Sequence, residues 1–469
     1  GLVQYGCRDG ARVRVLALCL TTGLLPLAWF AAPALGRRPP LGRRVPLGFL
    51  RGRALYLAPR SSLLVVGPTQ SGKTTGVAIP AIIGWDGPVI ATSVKGDLLA
   101  STAPHREGPC FVLDPGGSTG ATASSWSPLK RATTRRGSRE VVADLLEGVR
   151  SSQLTGDGEF WLSVAGRLLA PLLQAAAISG VGVEGAIAWI DAQSVDEVAD
   201  VLATAGEHEA EQAWIASWSR DERIVSSALA TALTVLEPVS EVGHGEALDA
   251  GVLIDRRGTA YLCAPLDDQR RYAGLFVAVL RDVIGAATAR SLRSGKPLDP
   301  PLLCVLDEAA AIAPLPELDT LAATLAGQGV VLVTIVQDLA QLRARYGERS
   351  GTILSNHAAR LFFPGIADPA TLEILAALAG DDLRRAGRGG RAGLGEDRRS
   401  ARPATTYSSL RTLPKGRAVL IQAARPAVQV RLRRPRRVHP AGLALRSWQT
   451  RTPSSWPGRH QAPSFRSWI

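Results

Sequence analysis

Apolar residues recur along the chain in two spacings, and the change from one to the other outlines its organisation. Residues 62–66, 88–92, 110–113, 259–264, 302–306 and 330–336 are short, nearly unbroken apolar runs. Such runs are the pattern of strands covered on both faces, as in a parallel sheet. Between about 119 and 255 the spacing lengthens. Residues 138–150, 160–177, 195–205, 209–219 and 224–236 repeat apolar positions three and four apart, which predicts a mostly helical insertion. Strands and helices alternate again beyond it, with helical patterns at 272–293 and 318–326 and a last hairpin at 418–432. The fold class is therefore α/β, a sheet interrupted by an all-α insertion. Residues 381–403 are rich in Gly and Arg and read as a loop, and the chain after about 435 has no periodicity.

One apolar run stands apart. Residues 15–35 are 21 positions without a charge, which at about 1.5 Å per residue just cross a hydrocarbon core of about 30 Å. Trp29 and Phe30 lie near its C-terminal end, and Arg37, Arg38, Arg43, Arg44, Arg51 and Arg53 follow. The more basic flank faces the cytoplasm, so the run reads as a transmembrane helix that anchors a cytoplasmic body to the cell membrane. A cleaved signal peptide is the rival reading, because Ala32-Pro33-Ala34 resembles a small-residue cleavage site. No second apolar run of this kind is evident, which argues against a multi-span transporter.

Composition narrows the class. With 46% hydrophobic and 20% charged residues, most of the chain can bury a core, and collagen-like or globally disordered classes are excluded. The net charge of +13 is uneven: residues 1–60 carry +9 and residues 381–469 carry +16, which leaves −12 for the part between. An acidic body with basic ends is not one uniformly basic DNA-binding domain. The five cysteines form no CxxC pair and the six histidines show no ligand spacing, so neither a disulfide framework nor a zinc ribbon is expected.

The residues that carry chemistry lie at the ends of the apolar runs. Gly67-Pro68-Thr69-Gln70-Ser71-Gly72-Lys73-Thr74, continued by Thr75, fits the phosphate-binding loop, with a strand before it and a helix after it. Its glycines let backbone N–H groups close around phosphate oxygens, Lys73 reaches the β- and γ-phosphates of ATP, and Thr74 ligates Mg²⁺. The run 302–306 ends in Asp307-Glu308. Asp307 suits the acid that holds the Mg²⁺ shell and Glu308 the base that polarises a water. An acid directly after the metal-holding one favours hydrolysis over a kinase-type or GTPase-type use. The run 330–336 ends in Gln337, placed to sense the γ-phosphate or orient the water. Lys73, Glu308 and Gln337 are thus the catalytic candidates.

At this point the chain resembles a known family, the type IV secretion coupling proteins, the TraG/TraD-type ATPases of conjugative DNA transfer. The resemblance runs through most of 60–435. It rests on the loop at 67–74, Thr92-Ser93-Val94-Lys95-Gly96-Asp97, Leu113-Asp114-Pro115 with Trp126-Ser127-Pro128-Leu129, Asp307-Glu308 with Pro314-Leu315-Pro316, Gln337-Asp338-Leu339-Ala340-Gln341 with Tyr346-Gly347, and the stretch from Asn356 to Phe363. It implies a RecA-like P-loop motor that assembles as a homo-hexameric ring at the inner membrane. Such a motor uses ATP and Mg²⁺ to move single-stranded DNA, without sequence preference, toward components of a type IV secretion channel. The all-α part would engage the relaxase or relaxosome. The expected organisation is a membrane anchor and basic linker at 1–54, a first part of the ATPase domain at 55–118, the all-α domain at 119–255, a second ATPase part at 256–435 and a disordered Arg/Pro/Trp-rich tail at 436–469.

Three departures from the family pattern remain. Relatives carry two membrane helices where one run is visible here. With no Met in the chain and a start at Gly1, a missing N-terminal piece is the expected explanation. Many relatives have an acid where Ser93 stands. Some have an arginine near the position of Ala326 that serves the neighbouring subunit's ATP, and Arg343, Arg345 and Arg360 are the substitutes available. Lys95 and Asp97 either flank the nucleotide or start a helix. The Arg-rich stretches 384–402 and 431–437 either contact phosphates and lipid headgroups or are solvated charge. The alternative function is a recruitment or assembly module of the secretion machinery that binds nucleotide with little hydrolysis.

Overall fold

The computed structural model describes residues 42–94, 96–150, 156–379 and 411–432. The apolar run 15–35, Lys95, the Arg-rich stretch 384–402 and the tail from 436 lie outside the described residues. The strands are β1 (Pro46–Leu50), β2 (Arg53–Tyr56), β3 (Leu63–Val66), β4 (Val89–Ser93), β5 (Cys110–Leu113), β6 (Ser124–Ser125), β7 (Gly245–Ala247), β8 (Thr259–Cys263), β9 (Leu302–Leu306), β10 (Val330–Val336), β11 (Ala359–Phe362), β12 (Arg417–Gln422) and β13 (Val428–Arg431). Eleven of them form one sheet in the order β2-β1-β13-β12-β11-β3-β10-β9-β4-β8-β5.

The seven strands from β11 to β5 are parallel. Their continuous apolar sequences follow from that, because a parallel strand with cover on both sides has no solvent face. Alternate residues serve opposite cores. Leu64 and Val66 of β3 point into the larger core, while Leu63 and Val65 point into a second one that contains Val77, Ile79 and Ile82 of the helix Thr74–Ile83. The hairpin β12–β13 pairs antiparallel onto β11. β1 and β2 extend the sheet further, so strands of this sheet are found from Pro46, ahead of the Leu55 start expected from the pattern. The Gly and Arg residues of 48–53 gave that stretch the composition of a linker.

Helices fill Arg135–Val149, Gly156–Ser179, Gly182–Asp191, Val195–Thr204, His208–Trp218 and Glu222–Ser240. The short strands β6 and β7 pair in parallel at the two ends of this excursion, with Ser124 beside Gly245, so its entry and exit are tied together. The excursion shares one apolar core with the sheet: Leu168, Leu172, Trp214 and Leu236 belong to the same cluster as Leu64, Ile90 and Leu306. The junction is the crossing of Arg135–Val149 over the long helix Gln269–Ser294. There the backbones nearly touch. A Cβ on Gly148 would lie 1.9 Å from the Gly274 nitrogen, and one on Gly274 would lie 2.1 Å from the Leu145 carbonyl oxygen. Only glycine fits at either position.

Two helices among the described residues, Gly158–Ser179 and Gln269–Ser294, are long and apolar enough to cross a membrane by length and composition. This corrects the expectation of a single long apolar run. Two thirds of each apolar window is buried inside the fold, and that burial accounts for the composition.

Candidate functional site

The sheet order places β10 between β3 and β9 and puts β4 on the far side of β9. Parallel strands deliver their C-terminal ends to one edge, where an open α/β sheet holds its ligands. The loop 67–73 leaves β3 at that edge. Gln70 and Gly72 take positive φ values of 61° and 95°, which turn successive N–H groups toward one side. A Cβ on Gly67 would lie 2.5 Å from the Cβ of Phe363, so glycine alone can pass beneath β11. The helix that follows opens with a wide first turn, in which the Ile79 N–H bonds to the Thr74 carbonyl five residues back. Wide turns of this kind recur at functional sites.

The polar side chains described at the facing strand ends hold one another or backbone carbonyls. The Thr74 hydroxyl donates to Asp307 Oδ2 at 3.0 Å, joining residues 233 positions apart. Thr92, in β4, donates to the Asp307 carbonyl at 2.8 Å. Lys73 is 5% exposed, donates to the Gly67 carbonyl and to the Val336 carbonyl at 3.3 Å, and lies 3.6 Å from Glu308 Oε1. Gln337 Nε2 donates to Glu308 Oε2 at 3.2 Å. Glu308 therefore sits between a cation and an amide, on a left-handed backbone (φ 54°, ψ 47°) that a non-glycine residue rarely adopts. Burial pushes the Asp307 carboxyl up to about 6, opposed by the Thr74 hydrogen bond and increased by the charge of Glu308.

The loop fits a bound phosphate on its own geometry. The hydroxyl of Ser71 is buried and has no hydrogen-bond partner among the described residues. Beside it stand the first-turn N–H groups of the helix, which have no intrahelical acceptor. The facing carboxylate–hydroxyl pair Asp307–Thr74 is an oxygen donor set suited to Mg²⁺.

The structure thus brings together Lys73, Thr74, Asp307, Glu308 and Gln337, the residues singled out from sequence. It adds Gln341, whose Oε1 accepts from the Gln337 N–H at 3.0 Å and fixes the end of β10. The signal for it was Asp338, which caps the helix Leu339–Tyr346 by accepting from the Gln341 N–H. Ser93 and Asp97 bond to each other at 3.1 Å, and Asp97 Oδ1 also accepts from the Leu98 N–H, which places Asp97 at a helix start. Of the three arginines, Arg345 is held by Glu147 at 3.0 Å and Arg360 by the carbonyls of Leu354 and Ser355. Arg343 is the most accessible, 41% exposed beside Asp368.

Two family models match the chain: type IV secretory system conjugative DNA transfer over residues 38–234, and the TraM recognition site of TraD and TraG over residues 301–415. The conjugal transfer protein TraG of Escherichia coli is 25% identical over 354 residues, covering 68% of this chain and 54% of that protein. The protein VirD4 of Rhizobium rhizogenes is 27% identical over 331 residues, covering 64% and 46%. The chain spans about half the length of these curated relatives. Among solved structures, the bacterial conjugative coupling protein TrwBΔN70 superposes with a TM-score of 0.63 at 18% identity, over 84% of this chain and 89% of that one. The plasmid coupling protein TrwB in complex with ADP and Mg²⁺ gives 0.61 at 19% identity, over 83% and 89%. These likenesses establish a mixed α/β fold of the same kind.

Proposed function

Given that the chain belongs to the type IV secretion coupling proteins, we propose that it is a membrane-anchored ATPase that drives DNA, or a relaxase–DNA substrate, into a conjugation channel. The observation that carries this reading is the convergence of Thr74, Asp307, Lys73, Glu308 and Gln337 at one sheet edge. Residues 67–75 would hold the phosphates of ATP, and Thr74 with Asp307 would hold Mg²⁺. ATP supplies the bond to be broken and Mg²⁺ the countercharge. Lys73, held at the loop by the carbonyls of Gly67 and Val336, would bring its charge to the phosphate oxygens. The Glu308 carboxylate is oriented from both sides, by Lys73 and by Gln337, and serves as the proton acceptor for water. Gln337, fixed at its backbone by Gln341, positions that acceptor.

The likeness to TrwB bound to ADP and Mg²⁺ supports the nucleotide reading, and the matched TraM recognition region supports a relaxosome partner. We place the body of the chain on the cytoplasmic side of the inner membrane, in a homo-hexameric ring, with the helices of 135–240 as an inserted all-α domain facing the substrate. The test is the ATPase rate of the full chain as a function of its own concentration and of single-stranded DNA. A rate that rises with both is expected of a ring motor. A flat rate near zero despite ATP binding would replace this reading with the recruitment module, for which the small Ala326 in the turn before β10 is the supporting feature.

A further inference from the structure

Between the helices Arg135–Val149, Gly156–Ser179 and His208–Trp218 lies a cleft of about 460 Å³. Four arginines line it: Arg135, Arg139, Arg167 and Arg220. Arg135 pairs with Glu209, while the other three have no carboxylate partner among the described residues. Among the described residues no acidic or aromatic side chain lines the cleft, and the rest of its wall is Ala, Ser, Gly and Pro apart from one residue. That residue is Gln174. Its side chain is fully buried, and neither its Oε1 nor its Nε2 has a hydrogen-bond partner among the described residues. A buried amide with both ends unmet is rare in a folded protein and marks a place where a partner belongs.

We propose that this cleft docks an extended acidic peptide segment of a partner protein. Its carboxylates face the guanidinium groups of Arg139, Arg167 and Arg220, whose planar forks match a carboxylate. One residue of the extended segment presents its own N–H and C=O on the same side, a donor and an acceptor for the carboxamide of Gln174. A free phosphate would meet the arginines but leave the Gln174 acceptor unmet and most of the volume unfilled. A single nucleic-acid strand would call for aromatic faces on which to stack its bases, and the lining has none.

The test uses the full chain, without nucleotide, and a fluorescein-labelled hexaglutamate amide followed by fluorescence anisotropy. It therefore stands or falls separately from the ATPase reading. Arg139→Gln and Arg167→Gln should each weaken binding about tenfold, and Gln174→Leu at least tenfold, with the Gln174→Leu chain melting at or above the wild-type temperature. Unlabelled hexaglutamate should displace the probe, and neither inorganic phosphate nor a thymidine oligonucleotide should do so at matched charge. Ala213→Glu, a change on the cleft wall at a partly exposed helix position, gives a second route and should abolish binding by placing a like charge in the path. Undiminished binding in Gln174→Leu or Ala213→Glu would overturn the proposal, as would displacement by phosphate or the oligonucleotide.

Discussion

The edge of the sheet and the cleft between the helices both bury polar side chains, and the two regions treat them in opposite ways. At the sheet edge Lys73, Thr74, Asp307, Glu308 and Gln337 are tied to one another or to carbonyls, and Ser71 is the one side chain of the loop left buried and unmet. In the cleft Gln174 has no partner at all and three arginines lack a counter-ion among the described residues. A cluster whose charges already hold one another keeps its geometry before a ligand arrives, which is what an electrostatically preorganised reaction site requires. A cluster left unmet carries a standing penalty that a ligand removes, which suits recognition.

The largest expected effect lies at the sheet edge. Glu308→Gln keeps the shape and the contact to Gln337 but removes the proton acceptor, and should lower ATP turnover by about 10²- to 10⁴-fold with nucleotide binding retained. Lys73→Ala should abolish binding or turnover, and unchanged plasmid transfer by that variant would contradict the motor reading. Next is the joint between the two regions. Gly274→Val places a side chain against the backbone of the crossing helix and should cost about 3 kcal/mol or more in urea unfolding. A loss well under 1 kcal/mol would mean that the two regions are not rigidly joined.

A smaller effect is set by pH. His357 is fully buried behind the β10 strand, taking a hydrogen bond from Thr334 at 2.9 Å and bonding through Nδ1 to the Ile353 carbonyl. Burial holds its pKa down to about 4. A depressed histidine contributes stability that is present above its unfolded value near 6.5 and is lost as pH falls through about 4. The advantage of the wild type over His357→Gln should therefore shrink by about 3 kcal/mol between about pH 7 and 4. An advantage independent of pH would mean that the imidazole titrates in the fold as it does in the unfolded chain. Smallest is Gln174→Leu, which should leave stability unchanged or raise it by up to about 2 kcal/mol. A clear loss of stability would make Gln174 a structural residue and erase the contrast between the regions.

Sequence reading reached the sheet edge more fully than the cleft, for physical reasons. Phosphate-loop chemistry is local: Gly67 to Thr75 is contiguous, and the acids and the glutamine sit directly after apolar strands, so strand ends could be matched to roles. The order of those strands, which brings Thr74 to Asp307, is not carried by periodicity and comes from the structure. The cleft is non-local. Arg139, Arg167, Gln174 and Arg220 come from two helices and the turn after a third, and an arginine on a helix reads as a solvated face in any single window. Gln174 sits inside the run 160–177 and gives no sign that it lacks a partner. The helix Gly182–Asp191 was also missed, because Gly182 and Gly185 interrupt a short pattern, and the β1–β2 hairpin was hidden by its Arg and Gly content.

The most direct test of the hydrolytic site is a side-by-side measurement of ATP affinity and single-turnover ATP cleavage in the wild-type chain and in Glu308→Gln, with protein in excess over nucleotide. The structure predicts equal affinity and a cleavage rate at least about 100-fold lower in the variant. Equal cleavage rates in the two proteins would mean that Glu308 does not accept the proton and that the paired cluster at the sheet edge is not a hydrolytic site.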